Sequence, residues 1–158
     1  MRRLASKAVG PAVPLICVAA LALPAGATAA SVKPADAWAE KANAICHTWS
    51  VKVQRSGILK AKPRTEDQFF TVFRRQLHFV AGQLAGLEAI KIPPTPAERL
   101  ALKLNRGAIV EARAALAAWT AKRSEAEVKL RLVRYSLYGN QSDQAFLKLG
   151  ARSCGTNE

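Results

Sequence analysis

Cys46 stands next to His47, and only Cys17, Cys154 and His78 complete the chain's set of thiols and imidazoles. A thiol beside an imidazole can ligate zinc, attach a haem or act as an activated nucleophile. Haem attachment requires Cys-x-x-Cys-His, which is absent, and the only methionine is Met1. At about 100° of rotation per residue, His47 and His78 each point about 150–160° away from the apolar side of their own helical stretches. Both are therefore expected to face solvent, with no metal site, no cofactor and no base for a buried nucleophile. The carboxylate pairs Glu66-Asp67 and Glu125/Glu127 sit where helices begin, and the helix dipole explains them there. Glu125 with Lys129, and Glu127 with Arg131, also have the i, i+4 spacing of surface ion pairs. No catalytic residue is expected, and the chain reads as non-enzymatic. The remaining enzymatic alternative is an all-helical exported enzyme with a pocket built from scattered Arg, Lys and Glu.

The chemistry left to the cysteines depends on compartment. Arg2, Arg3 and Lys7 form a basic leader without acids, and an apolar stretch runs from Ala8 to Leu23. Ala27-Thr28-Ala29 then offers a peptidase site, so residues 1–30 read as a cleaved signal peptide and 31–158 as one domain. Gly10, Pro11 and Pro14 interrupt the stretch, which is short of the roughly 20 residues of a membrane span. The Arg2-Arg3 pair leaves the choice between general and twin-arginine export open. Cys17 departs with the leader. Cys46 and Cys154 remain for a secreted or extracytoplasmic chain, near the two ends of the domain, and read as one disulfide. The alternatives are two free thiols or a bridge to another chain.

The elements that would position these residues are helical throughout. Trp38, Ala42, Ile45, Trp49 and Val53 share one face of a first helix that Gly57 ends. Thr65-Glu66-Asp67-Gln68 opens a second, which carries Phe69, Phe73, Leu77, Val80, Leu84 and Leu87 up to Pro93-Pro94. Thr95-Pro96-Ala97-Glu98 combines an N-cap, a proline at the first helical position and a reciprocal glutamate, and launches a third helix through Trp119. Ser124-Glu125 starts a fourth that reaches Leu149-Gly150, with Gly139-Asn140 as a kink or break point. No stretch alternates as a half-buried strand does. The predicted fold is all-α, an antiparallel four-helix bundle closed by one disulfide between Cys46 and Cys154.

Ala42-Asn43-Ala44-Ile45-Cys46, Ile92-Pro93-Pro94 and Leu149-Gly150-Ala151-Arg152-Ser153-Cys154-Gly155 together resemble small exported helical proteins of actinobacteria without assigned function. Those proteins carry leucine where Ala151 stands here. The resemblance implies a disulfide-closed bundle and no known activity.

Two surface features point toward binding. The formal net charge is +13, and all 11 acidic residues lie after the leader, so the domain stays strongly basic. Arg99, Lys103, Arg106 and Arg113 fall on the outer side of helix three with no acid among them. Such a row suits an anionic wall polymer or membrane surface at the cell envelope. No aromatic residues interleave with it, so sequence-specific nucleic-acid binding is not expected. Helix four carries two apolar sides, Leu130/Val133/Leu137 and Val128/Leu132/Tyr135. The second of these, Val128, Leu132 and Tyr135, is the candidate face for a protein partner or a homodimer. The alternative is that Ile58 and Leu59, in the loop after helix one, cover it.

Overall fold

The second, third and fourth long helices each begin at a residue whose side chain satisfies an orphan backbone amide. The computed structural model describes residues 34–155: α1 (Pro34–Arg55), a 3-10 turn (Ile58–Lys60), α2 (Glu66–Glu88), α3 (Pro96–Thr120), α4 (Glu125–Lys148) and a single closing turn, α5 (Arg152–Gly155). The expected signal peptide and its cleavage site lie outside the described residues. Among the latter there is no strand, and no helix is long and apolar enough to cross a membrane.

Thr95 forms the full capping box. Its hydroxyl accepts from Glu98 N, and the Glu98 carboxylate accepts from Thr95 N at 2.6 Å. Thr65 and Ser124 cap α2 and α4 in the same way, accepting from Gln68 N and Glu127 N. On α2 the reciprocal bond is shifted by one residue, because Gln68 Oε1 accepts from Arg64 N. The C-termini of α3 and α4 close by left-handed residues. Gly150 (φ 77°) ends α4, with Ala151 N donating to Phe146 O and Gly150 N to Leu147 O. Lys122 (φ 52°) ends α3 with the equivalent pair of bonds to Ala118 O and Trp119 O. Between these caps α4 is unbroken; Gly139 and Asn140 are ordinary helical positions in it.

Contacts between successive helices run in opposite sequence order. On α1 and α2, Ile45 lies against Gly86 and Trp49 against Gly82. The absence of a side chain at Gly82 admits the indole: a Cβ there would fall 2.3 Å from Trp49. Between α2 and α3, Phe70 stacks on Trp119 at 4.6 Å and Glu88 meets Arg106. Between α3 and α4, Ala101 O accepts from Ser142 Oγ, Gly107 underlies Tyr138, and Glu111 meets Arg131. Alanines at 101, 108, 112, 115 and 118 line the buried side of α3 and let its neighbours approach closely. Trp38, Phe70, Leu87 and Phe146 fill the centre, with Trp38 and Phe146 stacked at 6.4 Å.

The C-terminal turn returns to α1. Cys46 and Cys154 sit at disulfide distance, with Sγ atoms 2.10 Å apart and Cα atoms 5.1 Å apart across 108 residues. One turn away, Asn43 clasps the same segment from both sides. Its Nδ2 donates to Gly150 O at 2.9 Å, and its Oδ1 accepts from Ser153 N at 2.8 Å. Gly155 is buried where the turn crosses α4; a Cβ there would meet Asp143 O at 2.4 Å.

Candidate functional site

The cationic row on α3 is exposed along its length, but its members differ in what holds them. Arg99 donates from its guanidinium to Pro94 O, on the loop before the helix. Arg106 is ion-paired with Glu88, the last residue of α2. The expectation of four unpaired cations is therefore corrected at Arg106. The acid comes from a neighbouring helix, which spacing along α3 alone does not reveal. Lys103 and Arg113 meet no carboxylate among the described residues.

The assignment of helix four's sides is reversed. Val128 is buried, Leu132 and Tyr135 pack against the core, and the Tyr135 ring stands edge-on to Phe73 at 5.3 Å. These three residues are the inner face of α4 and not a partner surface. Burial, with Asp143 nearby, raises the Tyr135 hydroxyl above the ordinary tyrosine range. Solvent instead meets Leu130 (49% exposed), Val133 (64%) and Leu137 (54%). Ile58 is buried at the turn joining α1 to α2, and Leu59 is exposed.

Glu111 explains part of this orientation. Its carboxylate is 13% exposed, accepts from Arg131 at 3.1 Å and lies 4.0 Å from Arg134. Arg131 thus serves the α3–α4 seam rather than the expected pair with Glu127, whereas Lys129 does pair with Glu125 at 2.6 Å. A carboxylate held at a helix seam by guanidinium groups fixes which edge of α4 can face α3.

Tyr138 joins the outer faces of the two helices. Its ring lies over Gly107, where a Cβ would sit 3.2 Å from the ring edge, and it remains 37% exposed. With about 100° per residue, Leu100, Lys103, Val110 and Ala114 share the Gly107 side of α3. Leu130, Arg134, Leu137 and Gln141 flank Tyr138 on α4 by the same spacing. The two arcs meet at the Gly107–Tyr138 contact and form one side of the molecule. Of the nearby acids, Glu98 is buried, Glu111 lies in the seam, and Glu125 and Asp143 fall outside the α4 arc, but exposed Glu127 falls within it, between Arg134 and Tyr138. This combination of five exposed apolar side chains with Lys103 and Arg134 is the feature that one-helix-at-a-time reading missed.

His47 and His78 are both exposed. Among the described residues no three His, Cys, Asp or Glu side chains are grouped to hold a metal. Open clefts among the described residues include one of about 350 Å³ beside Lys62, Pro63, Asp67 and Thr71, and one of about 270 Å³ between α1 and α2 beside Thr48, Trp49 and Gly86. Comparison with protein-family models, curated proteins and solved structures gives no significant match.

Proposed function

We propose that the protein is an exported, non-enzymatic binding or structural module of the cell envelope that engages anionic surfaces electrostatically. In this reading the leader is removed, and the four long helices form an antiparallel up-down bundle closed by Cys46–Cys154. The resemblance to small exported helical proteins of actinobacteria belongs to the same proposal. The observation that carries it is the segregation of charge on α3: in a chain of formal charge +13, the exposed positions of this helix include Arg99, Lys103, Arg106 and Arg113 and no acid. Coulomb attraction summed over such a side concentrates a polyanion even where each single contact is weak. Arg106 contributes least, since Glu88 already partners it. Lys103 and Arg113 contribute most.

The test is retention on an immobilised polyanion as ionic strength rises. Exposed charges are screened over about 8–10 Å near physiological salt, so retention should fall steeply between low and moderate salt. Replacing Arg99, Lys103 and Arg113 by glutamine should move elution to markedly lower salt, and Arg106→Gln alone should move it least. Salt-insensitive passage of the unaltered protein would refute the proposal, as would unchanged elution of the triple variant.

A further inference from the structure

We infer that the outer groove between α1 and α2 is a docking site for a linear polymer with phosphate diesters in its backbone, held from both rims by Lys52 and Arg55 on α1 and Arg75 on α2. This rests on the electrostatic reading above and adds to it a second surface and a ligand class. Ile45 against Gly86 and Trp49 against Gly82 fix the antiparallel register of the two helices. Their outer junction is the open cleft of about 270 Å³ lined by Ala44, Ile45, Thr48, Trp49 and Gly86. At about 100° per residue, Lys41, Thr48, Lys52 and Arg55 share the side of α1 that borders this cleft, a line about 20 Å long. Arg75 and Gly82 share the matching side of α2, and the register brings Arg55 close to level with Arg75. Lys41, Lys52, Arg55 and Arg75 are all exposed, and none meets a carboxylate among the described residues. Lys52 is held at the cleft by an aromatic face instead, its Nζ 4.0 Å from the centroid of the Trp49 ring.

The acids of these two helices lie off the groove. After Glu40, α1 has none, and α2 has none between Asp67 and Glu88. Glu40 is about 100° round α1 from Lys41. Glu88 turns to α3 and meets Arg106. Asp67 lies about two turns before Arg75, past the end of α1 in this register, and lines the other cleft with Lys62. With cations on both rims and glycines at the floor, the matching ligand is a chain whose charge lies on its own axis, within reach of both sides. Phosphate diesters place charge there, whereas a polycarboxylate carries it on side groups that reach one rim at a time. The guanidinium groups of Arg55 and Arg75 suit paired phosphate oxygens. Bases are not part of the match. Trp49, the ring that lines the cleft, is already engaged by Lys52 and Gly82 and is no open platform for stacking.

The experiment titrates the purified protein with long-chain polyphosphate, polyglutamate and a single-stranded oligonucleotide, reading affinity by calorimetry and the groove by tryptophan fluorescence. Trp38 is buried and Trp119 stacks on Phe70, so Trp49 is the reporter at the groove. An Arg55→Gln/Arg75→Gln variant keeps Lys52 on that ring, and a Lys103→Gln/Arg113→Gln variant serves as the comparison on α3. All four positions are exposed, so both variants should match the parent in circular dichroism and denaturation midpoint. Polyphosphate should bind the parent with a change in Trp49 fluorescence and more tightly than either other probe. The groove variant should lose roughly tenfold or more in affinity for it, while the α3 variant keeps the affinity read at Trp49 within about twofold. Equal polyphosphate binding by parent and groove variant overturns the inference and leaves the electrostatic reading standing. So does an α3 variant that loses the Trp49 response as fully as the groove variant. Polyglutamate bound as tightly as polyphosphate overturns the ligand class, and an oligonucleotide bound more tightly assigns the groove to nucleic acid and overturns it as well. A parent that binds none of the three overturns both readings.

Discussion

Reducing the Cys46–Cys154 bond should cost stability through the unfolded chain far more than through the folded one. The bond closes a loop of 108 residues, for which the chain-entropy relation gives about 4–5 kcal/mol at 25 °C. With the entropy of unfolding usual for a domain of this size, the reduced form should melt roughly 15–20 °C lower. The folded state has its own means of keeping the C-terminal turn in place. Asn43 bonds Gly150 O and Ser153 N, Ala151 and Gly155 are buried, and Gly150 already turns the chain toward α1. Two hydrogen bonds at about 1 kcal/mol each, plus that burial, should hold α5 against α1 without the covalent link.

Urea unfolding of oxidised and reduced protein measures the total, and amide exchange at Ser153 measures the docking, because that amide donates to Asn43. The expected result is a loss of several kcal/mol on reduction with the Ser153 amide still protected. Asn43→Ala in the reduced protein should then remove about 1–3 kcal/mol more and expose the Ser153 amide. A reduction cost below about 1 kcal/mol would refute the entropic account, since it would mean the denatured chain keeps its ends together unaided. A Ser153 amide that exchanges freely on reduction alone would refute the role given to Asn43.

Three further outcomes follow from local geometry. Gly82→Ala places a Cβ against the Trp49 ring and should destabilise by about 1–3 kcal/mol with altered tryptophan fluorescence, while Gly139→Ala, with open space around it, should stabilise by about 0.5–1 kcal/mol. Lys122→Gly relieves a left-handed backbone at the end of α3 and should stabilise by up to about 1 kcal/mol in the same denaturation assay. Tyr135 has its folded-state pKa raised from 10.0 by burial and by Asp143, so its contribution is fully present below pH 10 and lost as pH rises through the folded value; alkaline unfolding monitored by circular dichroism should shift upward in Tyr135→Phe.

The helices were legible because their boundaries are local chemistry. Thr95-Pro96-Ala97-Glu98 needs only its own backbone to cap, and Gly57 and Gly150 supply left-handed stops wherever the rest of the chain lies. The Cys46–Cys154 pairing was legible by counting, since the domain holds one thiol near each of its ends and the leader predicts an oxidising compartment. Ion pairing was not legible, because it crosses between helices. Arg106 finds Glu88 from 18 positions away and Arg131 finds Glu111 from 20, and in both cases the partner is set by which helices adjoin. An i, i+4 rule sees only the alternative on the same helix, which Arg131 declines.

Helix four is the instructive case, because its two apolar sides differ in a way the sequence does carry. Leu130, Val133 and Leu137 stop at mid-helix: the next positions on that line are Asn140, Gln141 and Gln144. Val128, Leu132 and Tyr135 continue through Ser142 to Phe146, so only that side is long enough to cover the core from one end of the helix to the other. A partly apolar side is tolerable at the surface. A partly polar one is costly inside unless each polar group is bonded, as Ser142 is to Ala101 O. Extent of the stripe, rather than hydrophobicity at its middle, therefore separates inner face from outer. The small residues of α3 and the Glu111–Arg131 pair then fix the choice, since Gly107 accepts the flat ring of Tyr138 and the carboxylate requires the guanidinium edge. By the same reasoning the shorter outer stripe is not excess core. It is surface, where scattered apolar side chains are tolerated without a covering element.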